Sequence, residues 1–169
     1  MASRLILVTG GADSGRLRVA RSLASRPGGR ILSLAFGSPP EKERLPEEDD
    51  GPDPAVVVEG PSALAKAWRQ AGLSWDVLLL HGLDTWVEKQ LRSAGEAEAV
   101  LGEVQVLVAF ARTAPQHTVV VSREAGSGVV PVWREERLYR DTLGWVNQTL
   151  AQAADEVWVA LAGLPFRLK

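Results

Sequence analysis

Residues 5–17 read LILVTGGADSGRL, an apolar run that passes directly into a glycine-containing turn and then into a helical pattern. A strand, a glycine-rich turn and a helix in this order let a P-loop bind phosphate on backbone N–H groups at a helix N-terminus. We therefore expect a mononucleotide-binding fold, although a tight connection without a ligand would show the same pattern. The residues expected to contact phosphate are Gly10, Gly11, Ser14, Gly15 and Arg16.

The turn departs from the P-loop pattern G-x-x-x-x-G-K-[ST] at both residues that carry its chemistry. Arg16 stands where a lysine contacts the outer phosphates, and Leu17 stands where a hydroxyl group binds magnesium. Arginine keeps the charge of lysine on a longer planar fork, whereas leucine removes a metal ligand. Asp13 adds a negative charge beside the anion site. These changes predict poor turnover of ATP even where a nucleotide binds.

The length and composition of the chain exclude several kinds of partner and of chemistry. A chain of 169 residues is long enough for one domain over residues 1–169 with its own core. A formal net charge of -2 predicts neither a nucleic-acid partner nor a membrane-surface partner. No cysteine and two histidines exclude thiol chemistry and Cys/His metal centres. No apolar stretch reaches the roughly 18 residues of a membrane span, so we expect a cytoplasmic location.

Short apolar runs alternate with helical patterns along the chain. The predicted strands are residues 5–9, 31–36, 55–59, 77–81, 118–122 and 156–161. The predicted helices are residues 16–25, 62–71, 86–92, 98–112 and 134–153. Continuous apolar strands separated by helices are typical of a parallel sheet covered on both faces. The sequence therefore predicts an α/β fold with a mostly parallel, doubly wound sheet.

Two segments interrupt the alternation and are predicted to be loops. Residues 37–54 contain five prolines and an acidic run at 47–50, and residues 124–131 contain two glycines. Ligands of open α/β sheets bind outside the carboxyl ends of the strands, so we expect both loops to flank the site. The acidic run is either solvated or recruits a cation or an amine.

Four side chains are considered for catalysis. The strand over residues 77–81 ends at His81, where P-loop proteins commonly place an acid in the magnesium shell. Asp84 is therefore a candidate metal ligand, or else the N-cap of the helix that follows. His81 is either a neutral hydrogen-bonding residue or an acid–base group. Glu124 is an acid in the turn after the fifth strand. The predicted catalytic residues are Arg16, Asp84 and Glu124.

A long compound pattern fills the C-terminal half: residues 119–131 read VVVSREAGSGVVP and residues 137–158 read RLYRDTLGWVNQTLAQAADEVW. With VTGGADSGRL at residues 8–17 and ALAGLPFRLK at residues 160–169, the chain resembles a family of bifunctional enzymes along its whole length. This family is the adenosylcobinamide kinase / adenosylcobinamide-phosphate guanylyltransferase family of cobalamin biosynthesis.

The resemblance implies a RecA-like P-loop fold and a homotrimer with sites near its subunit interfaces. It implies that GTP or ATP, with Mg2+, phosphorylates the aminopropanol arm of adenosylcobinamide. It further implies that GMP passes from GTP to that phosphate through a guanylylated histidine. The substrate-binding residues implied by matching positions are Glu59, Gly126, Gly128, Arg140 and Asp141, with Asn147 and Gln148 lining the pocket.

The departures from the family lie at its chemical positions. The family has Lys-Ser at positions 16 and 17, an acidic residue followed by Cys at positions 81 and 82, and Asn in place of Arg123. Its guanylylated histidine belongs to the segment before the strand at residues 55–59, where this chain has no histidine. A covalent GMP intermediate of that kind is therefore not expected.

Three functions follow as hypotheses. The first is kinase-type phosphoryl transfer to adenosylcobinamide, which depends on positioning and charge and does not need the missing histidine. The second is a catalytically inactive paralogue that binds a nucleotide or a corrinoid, or acts as a regulator. The third is a P-loop protein for a different substrate.

Overall fold

The computed structural model describes residues 3–26, 28–37, 56–72 and 74–169. Its strands are β1 (Leu5–Thr9), β2 (Ile31–Phe36), β3 (Val56–Val58), β4 (Val77–His81), β5 (His117–Val121), β6 (Glu156–Leu161) and β7 (Leu164–Arg167). Its α-helices are α1 (Arg16–Ser25), α2 (Leu64–Ala71), α3 (Leu83–Ala94), α4 (Ala97–Thr113) and α5 (Arg134–Ala153), and a 3-10 turn (Pro61–Ala63) precedes α2.

The strands form one sheet in the order β3-β2-β4-β5-β1-β6-β7. All neighbours are parallel except β6 and β7, which are antiparallel. The predicted α/β fold with a mostly parallel sheet is therefore confirmed. Because β1, β5 and β4 are consecutive in the sheet, the segments that follow their carboxyl ends meet at one edge.

Two apolar cores cover the two faces of this sheet. Alternate residues of β4 divide between them, as a strand's period of two requires: Val77 and Leu79 pack with α1, while Leu78 and Leu80 pack on the opposite face. The four other α-helices contribute to the core of that opposite face. Both faces are buried, which is why the strands read as continuous apolar runs.

Several element boundaries differ from the prediction. The helix predicted at residues 86–92 begins at Leu83, so Asp84 lies in the first turn of α3, and the prediction that Asp84 is its N-cap is wrong. Gly82 occupies the N-cap position. The helix predicted from residue 62 starts with a 3-10 turn, and β7 was not predicted. The acidic run at residues 47–50 lies outside the described residues.

Gly82 starts α3 three residues early because its backbone is left-handed, with φ of 75°. A Cβ at this position would also lie 2.9 Å from the carbonyl oxygen of Phe36. We expect Gly82→Ala to lower the free energy of unfolding by about 2 kcal/mol, as measured by urea denaturation.

The matched control is Gly102→Ala within α4, where no atom lies within 4 Å of an added Cβ. At this exposed helical position the same substitution should raise the free energy of unfolding by about 0.7 kcal/mol. Equal effects at the two positions would contradict the role given to Gly82.

Of the helices in the described residues, none combines the length and the apolar character that a bilayer crossing requires.

Candidate functional site

The phosphate loop, residues 10–15, connects β1 to α1 and is packed tightly at its start. A Cβ on Gly10 would lie 2.4 Å from Ser14 Oγ and 2.7 Å from the Ala160 carbonyl oxygen, so only glycine fits there. The turn between β6 and β7 supports the loop, because the Gly163 N–H donates to the Ser14 carbonyl at 2.9 Å. Ser14 is 7% exposed, and its Oγ has no hydrogen-bond partner within the part of the chain that the structure describes.

Arg16 is the first residue of α1, and its side chain folds back over the phosphate loop. Its Nη1 donates to the Gly11 carbonyl at 3.2 Å, and its Nη2 lies 3.5 Å from Asp84 Oδ2. The residue is 7% exposed. The guanidinium therefore sits against the backbone of the loop, where the sequence predicted a cation.

Asp84 also contacts a second guanidinium. Arg123, two residues after the end of β5, places its Nε 3.2 Å from the same Oδ2. The Nε makes no hydrogen bond within the described ranges, so this contact is an ion pair. Asn147 of α5 fixes the backbone there by donating from Nδ2 to the Arg123 carbonyl at 2.8 Å. Arg16, Asp84 and Arg123 form the Asp84 cluster, with a formal charge of +1.

These residues do not fit a magnesium ion. Leu17, at the position of the usual hydroxyl ligand, packs against the core on the α1 face of the sheet. Asp84 is engaged by two cations through one oxygen, which lowers its capacity to take a third. No group of three or more acidic or histidine side chains in residues 3–26, 28–37, 56–72 and 74–169 is placed to hold a metal.

Tyr139 lies on α5, near enough to Asp84 for the carboxylate charge to act on its phenol. Burial raises the pKa of Tyr139 to about 12, and the negative charge of Asp84 contributes to the rise. The phenol therefore remains neutral at physiological pH and can donate or accept a hydrogen bond there.

His81 is the last residue of β4 and is buried. Its Nε2 lies 3.1 Å from Ser33 Oγ in a shared hydrogen bond, and its Nδ1 is buried with no partner among the described residues. Burial lowers the pKa of His81 below its ordinary value of 6.5, the charge of Arg21 lowers it further, and Asp84 opposes both effects. His81 is therefore a neutral hydrogen-bonding residue at pH 7.

This environment predicts a pH dependence of stability. Because His81 has a lower pKa in the folded chain, the unfolded chain binds its proton more readily near pH 6.5 and below. Stability is then present above that pH and falls as the pH falls, by at most about 1.4 kcal/mol per pH unit. We expect His81→Gln to lose less stability than wild type between about pH 7 and pH 5 in urea titrations. Parallel pH profiles would contradict this assignment.

Glu124 shapes the turn after β5. Its carboxylate accepts hydrogen bonds from the N–H groups of Gly126 at 2.7 Å and Ser127 at 3.2 Å, while its own N–H donates to the Gly10 carbonyl at 2.9 Å. Gly128 is exposed in the same turn. The contacts give Glu124 a part in positioning this turn against the phosphate loop, and its catalytic role remains a prediction.

The remaining predicted residues make other contacts. Glu59 lines a cavity of about 390 Å³ together with Trp86 and Glu103, beyond the edge strand β3. Arg140 pairs with its neighbour Asp141 through an Nη2 to Oδ1 distance of 2.8 Å. The structure thus brings the phosphate loop, Asp84 and the backbone of Glu124 together, and places Glu59 in a separate cavity.

Sequence reasoning did not identify Tyr139, and it named position 123 only as a departure from the family and not as a member of the site. Arg123 carried one usable signal, because a residue just beyond β5 must lie beside the loop after β1 once the two strands are paired. Tyr139 gave no such signal within its helical pattern.

The comparisons with known proteins come from sequence and from structure. A family model described as cobinamide kinase / cobinamide phosphate guanyltransferase matches residues 6–168. The bifunctional adenosylcobalamin biosynthesis protein CobU of Salmonella typhimurium is 34% identical over 187 residues, which cover 98% of this chain and 99% of the relative. The bifunctional adenosylcobalamin biosynthesis protein CobP of Pseudomonas aeruginosa is 32% identical, with 96% of each chain covered.

Among solved structures, a KaiC-like protein of Pyrococcus horikoshii OT3 superposes with a TM-score of 0.59 at 13% sequence identity. The match covers 92% of this chain and 70% of that chain. At this identity the similarity concerns the fold alone, and it confirms the predicted RecA-like P-loop architecture.

Proposed function

The chain belongs to the cobinamide kinase / cobinamide phosphate guanyltransferase family, and we propose on this basis that it phosphorylates adenosylcobinamide in cobalamin biosynthesis. GTP or ATP binds with its phosphates on the loop over residues 10–15. The terminal phosphoryl group then passes to the hydroxyl of the aminopropanol arm.

The observation that carries this proposal is the Arg16 guanidinium on the backbone of the phosphate loop, 3.2 Å from the Gly11 carbonyl. The N-terminus of α1 and this guanidinium provide a positive environment for phosphate. Phosphoryl transfer requires in-line positioning and charge stabilisation more than a protein nucleophile. A phosphate loop with a substituted but cationic side chain supports that class of reaction.

The two histidines of the chain give less support to guanylyl transfer. His117 begins β5, at the edge of the sheet opposite the phosphate loop, and its Nδ1 accepts from the Arg4 N–H at 3.1 Å. His81 has one ring nitrogen bonded to Ser33 and the other buried. Neither is presented as a nucleophile for the α-phosphate of GTP.

The test is to incubate the purified chain with adenosylcobinamide and either GTP or ATP, and to follow the corrinoid by mass spectrometry. We expect a product heavier by one phosphoryl group, with release of the nucleoside diphosphate. A product carrying GMP would show that guanylyl transfer is retained by another route. Nucleotide binding without any modified corrinoid would contradict the kinase proposal.

A second candidate is a non-catalytic paralogue that binds a nucleotide or a corrinoid. The observation that favours it is Leu17, a partly buried side chain that packs against the core at the position where the P-loop pattern has a hydroxyl group. The same incubation separates the two candidates, since the paralogue binds its ligand and leaves the corrinoid unchanged.

We also propose a homotrimer, as the family resemblance implies. The segment before α5 supports a covered surface, because Val129, Val132 and Trp133 are 94%, 81% and 67% exposed. Light scattering coupled to size exclusion tests the assembly, and a monomeric mass would contradict it. The cytoplasmic location remains a prediction.

A further inference from the structure

The phosphate loop differs from the P-loop pattern in the groups that bring positive charge to the phosphates. In that pattern a lysine, a hydroxyl ligand and an acid bring Mg2+ to the outer phosphates. In this chain the acid that contacts Arg16 is Asp84, and its Oδ2 holds two guanidiniums, at 3.5 Å and 3.2 Å. Leu17, which stands beside Arg16 at the position of the hydroxyl ligand, is apolar and packs against the core.

We propose that the loop binds the phosphate chain of its nucleotide without a divalent cation, and that Arg16 and Arg123 supply the positive charge that Mg2+ supplies elsewhere. The inference rests on the proposed function, because it requires a nucleotide at this loop. It concerns what neutralises the phosphates, and it assigns that task to two residues at which the chain departs from its family.

A buried hydroxyl group in the loop supports an anion at this position. Ser14 Oγ has no partner in the described residues, and it lies inside the loop within 2.4 Å of the position a Gly10 Cβ would take. Buried hydroxyls without partners are uncommon, and a phosphate oxygen is an acceptor that satisfies them.

The charges of the Asp84 cluster also favour phosphate binding without a divalent cation. The guanidiniums of Arg16 and Arg123 both lie at Asp84 Oδ2, and Arg16 is the first residue of α1, where the helix dipole is positive. A phosphate oxygen is a stronger acceptor for Arg16 than the neutral Gly11 carbonyl that it contacts in the free loop. Arg123 is partly exposed, with 42% of its side chain accessible, so it can reorient toward a ligand.

The experiment is calorimetric titration of the chain with GTP, first in Mg2+ and then in excess EDTA. We expect the two dissociation constants to agree within about threefold, which corresponds to less than 1 kcal/mol. We expect Arg123→Ala to weaken binding about tenfold in EDTA. The control Arg92→Ala removes an equal charge from an exposed pair with Glu88 on α3 and should leave binding unchanged.

The outcomes of these titrations test metal-independent binding and the proposed nucleotide function separately. Binding that is lost in EDTA and restored by Mg2+ overturns metal independence and leaves the nucleotide function intact. Binding in neither condition overturns both. Metal-independent binding that is insensitive to Arg123→Ala, in a variant whose circular dichroism shows a folded chain, overturns the role given to Arg123. Inorganic triphosphate in EDTA is the second probe, and its binding shows that the contacts are to phosphate and not to the base.

Discussion

An Arg16→Ala variant is expected to bind GTP about 10- to 100-fold more weakly than the wild-type chain, which corresponds to the loss of one charged hydrogen-bonded contact. Arg16 is 7% exposed, and its guanidinium contacts the loop carbonyl of Gly11, so the side chain lies directly against the phosphate loop. Alanine keeps the helix α1, because it is the best helix former, and therefore tests the charge more than the fold. Calorimetric titration with GTP measures the effect.

Two further variants make the result specific. Arg26→Ala removes the same charge from the far end of α1, where the guanidinium packs over the Trp158 ring, and should leave GTP binding unchanged. Arg16→Lys keeps the charge in a compact ammonium that cannot bridge Gly11 and Asp84 as a planar fork does, so an intermediate affinity is expected. Tighter binding in Arg16→Ala would mean that the guanidinium blocks the loop, and would contradict its role as a phosphate ligand.

The sequence predicted the elements whose signals are local. The strand β1 and the helix α1 have the predicted bounds, because an unbroken apolar run and a helical pattern meet at the glycines of the loop. The strand β7 escaped prediction, since all four of its residues are exposed and one of them is Pro165. An exposed edge strand with a proline shows neither the alternation nor the composition of a buried strand.

The composition of the site was less predictable than its position. The strand-turn-helix order located the phosphate loop, but the partner of Arg16 is 68 residues away in the sequence. Asp84 was identified as an N-cap or a metal ligand because the left-handed Gly82, which starts α3 early, cannot be recognised from sequence alone. The two guanidiniums on Asp84 depend on the pairing of β1 with β5 and on the packing of α3 beside them. Such contacts arise from tertiary structure.

Asp84→Asn is the variant in which stability and binding should change in opposite directions. The carboxylate is 10% exposed and holds Arg16, which is also buried, so its loss should lower the free energy of unfolding by about 3 kcal/mol. The estimate lies at the low end of the range for buried pairs because Arg123 can turn toward water. Urea denaturation of the ligand-free chain measures this effect.

The same variant should bind GTP more tightly in EDTA, by about tenfold, because a negative charge beside the phosphates is removed while both guanidiniums remain. Glu88→Gln is the control, since it removes an equal charge from an exposed position one turn further along α3 and should change neither quantity appreciably. If Asp84 were instead the ligand of a magnesium ion, the asparagine variant would bind GTP more weakly in the presence of Mg2+. With Mg2+ present, a carboxylate that restrains two arginines predicts tighter binding by the asparagine variant, and a carboxylate that binds a metal predicts weaker binding. The sign of the change in that condition therefore decides between the two roles of Asp84.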